Sequence, residues 1–181
     1  MDVKPLQTVL LPSYTRVFSC QKHRGETKCN RINSAQAIKH MAKQALLKQL
    51  NGTTFVAKAN TNHWVVVDNT EQNGGSAAGA SPKEMLLFAL AGCTASDVIP
   101  ILKKKRVALQ NFEIRITANE REEFPRVFTD IHLEYVFAGE NIAAKDVEHA
   151  IHLSLTKYCS VHAMVQAGVK ITHSYSIVPS L

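Results

Sequence analysis

The segment from Ser81 to Arg106 constrains the fold more than any other part of the chain. Ser81, Pro82 and Glu84 read as a helix start. The serine hydroxyl can accept a backbone N–H, the proline sits in a first turn that needs no donor from it, and the Ser-x-x-Glu spacing closes a capping box. The run Met85 to Leu102 is apolar almost all round, and Lys103-Lys104-Lys105-Arg106 put cations where the helix dipole is negative. Pro100 lies inside the run, where it is expected to bend or split the helix. A helix without a polar face belongs in a membrane or in the middle of a protein. Asp97 would be costly in lipid, and Ala89, Ala91, Gly92, Ala95 and Ser96 suit close packing against protein. The reading is a buried helix, with no membrane partner. One small sheet can cover only one face of it, so a homodimer burying well over about 2,000 Å² is expected.

The elements around this helix follow from shorter patterns. Residues 44–50, Thr53–Ala59 and Trp64–Asp68 read as strands broken by the turn pairs Asn51-Gly52 and Thr61-Asn62. Glu71 to Ala80 is a Gly/Ala/Ser loop. Beyond the helix, Phe112–Ala118 and Phe128–Phe137 alternate apolar and polar residues, with polar Asn119 to Pro125 between them, as in a long hairpin. A second helix is expected from Ala144 through Cys159 to Gly168, with Val147, Ile151, Leu155 and Tyr158 at helical spacing, and a last strand over Val169–Val178. Hairpin connections favour an α+β fold with antiparallel sheets over a doubly wound parallel sheet.

The chain has 181 residues, 45% of them hydrophobic and 20% charged, a balance that suits one domain with a real core, with or without an appendage. Its net charge of +6 suggests a nucleic-acid partner only until the charges are located. Residues 1–40 hold seven Lys and Arg against two Asp and Glu, which leaves the rest nearly neutral. No nucleic-acid partner is therefore expected of the domain. Residues 1–40 show no sustained helical or strand period. They read as a basic extension: a disordered leader, a strap over the domain, or sequence upstream of a true start at Met41. The domain is placed at residues 41–181. The apolar run Val9-Leu10-Leu11 is too short for a secretory signal and Pro12 follows it, so a cytoplasmic location with reduced thiols is expected.

Reduced cysteines shift attention from staples to chemistry. Cys20 and Cys29 lie in the extension with His23 between them. Three ligands fall short of a zinc site, so these read as incidental thiols and no metal or cofactor is expected. Cys93 sits in the apolar helix and, taken alone, reads as a core cysteine. Cys159 lies late in the second helix, in the more polar Lys157-Tyr158-Cys159-Ser160-Val161-His162. Long helices of one small domain usually cross, which would bring the two thiols together. His162, three residues on, would neighbour Cys159 on a regular helix and could draw off its proton; otherwise it is a partly exposed surface histidine.

Three motifs in order resemble one family. Ser81-Pro82-Lys83-Glu84-Met85-Leu86 running to Ala91-Gly92-Cys93 resembles the first helix of the OsmC/Ohr family (osmotically inducible protein C and organic hydroperoxide resistance protein). Glu120 to Phe128 resembles its central hairpin, and Lys157-Tyr158-Cys159-Ser160-Val161 its second cysteine motif. The resemblance spans about Ala45 to Val178 and is closer to the YhfA-like branch than to the Ohr branch. It implies antiparallel sheets packed around two long central helices in an intertwined homodimer, with active sites at the subunit interface. It implies that Cys93 is the peroxidatic thiol, attacking an organic hydroperoxide and becoming a sulfenic acid. Cys159 is then the resolving thiol, and a dithiol such as a lipoylated protein reduces the resulting disulfide. The alternative is a redox-sensing or ligand-binding dimer of the same fold.

Two departures bear on that inference. Ohr proteins carry a glutamate directly after the motif proline, holding an arginine from the N-terminal hairpin. Here that position is Lys83, the acid moves to Glu84, and residues 43–68 contain no arginine. Asp97 lies at i+4 from Cys93, where an unpaired carboxylate opposes thiolate formation. Either a cation from Arg121, Arg126, His162 or a partner lysine neutralises it, or Cys93 is a poor peroxidatic thiol.

Overall fold

In the computed structural model the described residues are 43–181, together with the backbone of two strands, β1 (Phe18–His23) and β2 (Glu26–Arg31). The chain divides into two units, residues 1–48 with 57–65 and residues 49–56 with 66–181. In the first unit β1 and β2 form an antiparallel hairpin whose register sets Cys20 opposite Cys29. No strand was expected there. Short alternation in FSCQKH and ETKCNR is too weak to separate from loop, and the side chains of this hairpin, like the three-ligand question, lie outside the described residues. The Asn62 turn has φ 59°, its side chain accepts from Lys58 Nζ at 3.0 Å, and Lys58 Nζ lies 4.9 Å from the centre of the Trp64 ring.

Strands β3 (Ala45–Asn51), β4 (Thr54–Ala59) and β5 (Val65–Val67) form a three-stranded sheet in that order, as the turn pairs predicted. In the second unit, Gly52 turns the β3–β4 hairpin at φ +51°, and a Cβ there would lie 2.3 Å from the Gly74 carbonyl oxygen. Asp68, fully buried after β5, organises the Gly/Ala/Ser loop. Its carboxylate accepts from the N–H groups of Asn69, Ser76 and Ala78 at 2.7, 3.1 and 3.0 Å, and from the Thr54 hydroxyl at 3.0 Å. Burial pushes the Asp68 carboxyl up, but the Ala78 and Asn69 N–H groups, Thr54 and Ser76 outweigh it and hold it below its ordinary value. Gly75 is required by this cradle, since a Cβ would sit 2.5 Å from the carboxylate.

The loop delivers the chain to α1 (Pro82–Lys104), which starts as the sequence predicted. Ser81 N–H donates to Glu84 at 2.7 Å, and Glu84 N–H returns to the Ser81 hydroxyl. The split expected at Pro100 does not occur: α1 runs through it, with Pro100 and Ser96 both on an exposed face. At the far end Lys105 pairs with Asp146 at 2.8 Å.

Strands β6 (Asn111–Glu120), β7 (Phe128–Ala138) and β8 (Lys170–Val178) form the main sheet in that order. The β6–β7 hairpin is antiparallel, as expected, while β8 lies parallel to β7. The chain between β7 and β8 passes through helices, and a crossover of that kind delivers parallel strands. Antiparallel pairing thus describes the hairpins and not every strand pair of this α+β fold. β7 is the central strand, and Ile131, Leu133, Tyr135 and Phe137 are fully buried with Leu90, Val98 and Leu102 of α1. Each such side chain contributes about 1.5–3 kcal/mol of burial.

Leu90, Thr94, Val98 and Leu102, spaced four apart, form the one fully buried stripe of α1. Leu86, Phe88 and Ile99 are 40, 58 and 42% exposed in the single chain. By length and composition alone α1 could cross a membrane, and 22% of its most apolar window is buried.

The second helix departs from the expected one. It is not continuous through Cys159. α2 (Ala144–Leu153) gives way to a π-turn at Ser154–Tyr158, Cys159 adopts an extended conformation (φ −73°, ψ 98°), and α3 (Ser160–Val165) begins after it. Apolar spacing continues across this break, so the pattern does not reveal it.

Candidate active site

Cys93 and Asp97 project from one face of α1, a single turn apart. The break after the π-turn brings Cys159 to them, so that the two sulfurs and an Asp97 carboxylate oxygen all lie within 4.8 Å of one another. Both cysteines are free thiols; Cys93 is half-buried and Cys159 is 3% exposed. A π-turn is a common device at functional sites because it displaces one residue from the helical path. Here Cys159 N–H closes the turn on the Ser154 carbonyl at 2.9 Å. Cys159 Sγ then caps α3 by accepting the His162 N–H at 3.3 Å.

Among the described residues Asp97 is engaged by one hydroxyl and by no cation. Ser154 Oγ donates to Asp97 Oδ2 at 3.0 Å. Ser154 Oγ also pairs with Thr94 Oγ1 at 2.9 Å, and Thr94 with the Tyr135 hydroxyl at 2.9 Å. This buried chain ties α1, the π-turn and β7 to the carboxylate beside the thiols. Burial, with smaller effects from neighbouring Cys159 and Asp97, pushes the Tyr135 phenol up to about 12, so it remains a neutral donor.

Burial likewise pushes the Cys159 thiol up to about 11, helped by its hydrogen bond to Cys93 and only partly opposed by the His162 N–H. Cys159 therefore keeps its proton at neutral pH and can share it with Cys93. A cavity of about 150 Å³ opens beside Cys159, lined by Leu155, Tyr158, Ala163 and Gln166 among others.

The remaining residues singled out in the sequence lie elsewhere or act differently. Glu84 is occupied by the cap of α1. Arg121 donates to the Pro125 carbonyl, while Arg126 donates to the Glu122 carbonyl at 3.1 Å and lies 5.0 Å from the centre of the Phe124 ring. Among the described residues Asp97 has no ion-pair partner. Lys83 pairs with Glu120 and reaches the Arg126 carbonyl, tying the start of α1 to the β6–β7 loop.

His162 is neither a surface histidine nor a base on Cys159. It is 8% exposed, its contact with Cys159 is through the backbone N–H, and burial holds its imidazole below the ordinary value. Its Nδ1 is buried without a partner among the described residues. Ser154, Thr94 and Tyr135 escaped the sequence reading. Thr94 adjoins Cys93 and could have been noticed, but nothing local marks Ser154 as the first residue of a π-turn.

A pair of free thiols brought together by a long capped helix and a broken one, on a three-stranded mixed sheet, defines a class of small α+β thiol proteins. The chain belongs to the OsmC-like family: the family model described as "OsmC-like protein" matches residues 74–174. It is 41% identical over 135 residues to "Protein YhfA" of Escherichia coli (strain K12), a match covering 75% of this chain and 98% of that protein. A crystal structure of a protein from Aquifex aeolicus VF5 superposes with a TM-score of 0.64 at 31% identity, over 75% of this chain and 97% of that one. An organic hydroperoxide resistance protein OsmC from Legionella pneumophila shares the fold, with a TM-score of 0.57 at 12% identity over 75% of this chain and 96% of that one.

Proposed function

We propose that this protein is a thiol-dependent peroxidase that reduces organic hydroperoxides through Cys93 and Cys159. The observation that carries the reading is the approach of two free sulfurs to within 4.8 Å, one half-buried and one buried. Cys93 is the more accessible, so it meets the substrate first, its sulfur attacking one peroxide oxygen and breaking the O–O bond. It becomes a sulfenic acid, and the other oxygen leaves as an alcohol after taking up a proton. The Cys159 thiol then displaces the sulfenic oxygen as water and forms the Cys93–Cys159 disulfide. A dithiol, such as a lipoyl group on a protein, reduces that disulfide by exchange and is itself oxidised.

The protein works as a homodimer in the cytoplasm, with residues 41–181 as the domain and residues 1–40 as an extension. The exposed residues Phe88 and Ile99, on one face of α1, support the dimer. Hydroperoxide consumption with a dithiol reductant tests the activity. Wild type should turn over and Cys93→Ser should not; equal rates would remove Cys93 from the mechanism.

A second reading, a redox-sensing dimer that forms the same disulfide with little turnover, is favoured by Asp97. Among the described residues no ion-pair partner of Asp97 brings a cation to the thiol pair.

A further inference from the structure

Asp97 is out of place in a site built only for thiolate attack, yet the fold takes care to hold it there. It stands one turn from Cys93 on α1, and Ser154, Thr94 and Tyr135 form a buried hydroxyl chain that fixes its carboxylate. Two sulfurs and a carboxylate oxygen converge within 4.8 Å, Cys93 and Asp97 from α1 and Cys159 from the break after the π-turn. Two sulfur donors and an oxygen donor at this spacing suit a bound cation.

We propose that the reduced protein binds one divalent metal ion of the zinc class through Cys93 Sγ, Cys159 Sγ and an Asp97 carboxylate oxygen. Two thiolates select a borderline or soft ion over magnesium or calcium, which take oxygen ligands. Zinc distances of about 2.3 Å to sulfur and about 2.0–2.2 Å to oxygen put tetrahedral ligand atoms about 3.5–3.8 Å apart. The observed spacing therefore closes on the ion with movements of about 1 Å, within the reach of side-chain rotation. Ser154 holds Asp97 Oδ2, which leaves Oδ1 to ligate, and a hydrogen-bonded ligand carboxylate is the usual outer support of a zinc site. The His162 N–H, already on Cys159 Sγ, supports the second thiolate in the same way.

Three protein ligands fall short of a closed structural zinc site but suit an open one, which keeps its fourth position for water or an incoming ligand. Binding is not a redox step. The metal forms two metal–sulfur bonds, each cysteine that was a thiol gives its proton to solvent, and no electron is transferred. A bound ion and a Cys93–Cys159 disulfide exclude one another, because the same sulfurs serve both. Metal occupancy thus gates the thiol pair.

The test is a titration of cobalt(II) into the reduced, metal-free full chain, read by thiolate-to-cobalt charge-transfer absorption, followed by displacement with zinc. One cobalt per chain should bind at micromolar concentration, release up to about two protons, and be displaced by zinc but not by magnesium. Cys93→Ser and Cys159→Ser should each weaken binding by more than about 100-fold, and Asp97→Asn by at least about 10-fold. Oxidising the wild type to the disulfide should abolish binding, an arm that does not depend on how any variant folds. Absence of the charge-transfer band in reduced wild type would overturn the proposal. So would a band that persists in both serine variants, which would place the metal on other thiols of the chain. The titration requires no turnover, so a protein that binds cobalt without consuming hydroperoxide keeps this inference and loses the peroxidase reading, and the reverse result does the opposite.

Discussion

Cys159 leaves the helical path at the point where its sulfur must face Cys93, and the cost of that placement is its burial. Burial comes first among the causes that lift its thiol to about 11, so most of the shift should survive removal of Cys93. In Cys93→Ser, alkylation of Cys159 should stay slow at neutral pH and rise only through the alkaline range. A midpoint near the ordinary thiol value of about 8.5 would show that burial does not govern it. Ser154 is the second residue on which the site turns, because one hydroxyl serves both Asp97 and Thr94. Ser154→Ala takes one partner each from the part-buried Asp97 carboxylate and the buried Thr94 hydroxyl, and should cost about 1–3 kcal/mol, read from the denaturant midpoint at unchanged slope. A neutral substitution would mean that water takes the place of the hydroxyl.

The elements divide sharply in how far the chain announced them. α1 was legible to the residue at its start, because a serine, a proline and a glutamate at fixed spacing have one economical use. The β6–β7 hairpin was legible because one face of it is buried and the alternation records that face. The break at Cys159 was not. Leu155 and Tyr158 keep helical spacing, and a π-turn shifts the register without needing glycine or proline. The engagement of Asp97 by Ser154 was hidden for the same reason, since it depends on a contact made across that turn. The hairpin of β1 and β2 escaped because its short strands show no clear alternation.

Asp68 offers a test at this scale, since it holds the loop that leads into α1. Its folded carboxyl lies below its unfolded value of about 3.9, so its contribution is complete above that pH and lost as pH falls through the folded value. Asp68→Asn should be less stable than wild type at neutral pH. Its stability should also fall less steeply with acid below about pH 4, as measured by thermal melting across an acid series. Parallel acid profiles would remove Asp68 from the account.

For the whole molecule, α1 poses the question of what covers its second face. Phe88 and Ile99, which share a face of α1, stay exposed on a helix whose other stripe is fully buried, and a patch of that kind marks an interaction surface. A second copy of the chain is the expected cover, so the protein should sediment as a dimer at micromolar concentration and Phe88→Glu should shift it toward monomer. A wild-type monomer would contradict this. The central claim, that Cys93 reacts first and Cys159 resolves it, is tested most directly by sulfenic acid trapping. Each single Cys→Ser protein is treated with one equivalent of an organic hydroperoxide and a dimedone-type trap, then mapped by mass spectrometry. Trapped sulfenate is expected on Cys93 in Cys159→Ser and none on Cys159 in Cys93→Ser; sulfenate on Cys159 alone, with Cys93 unmodified, would reverse the two roles.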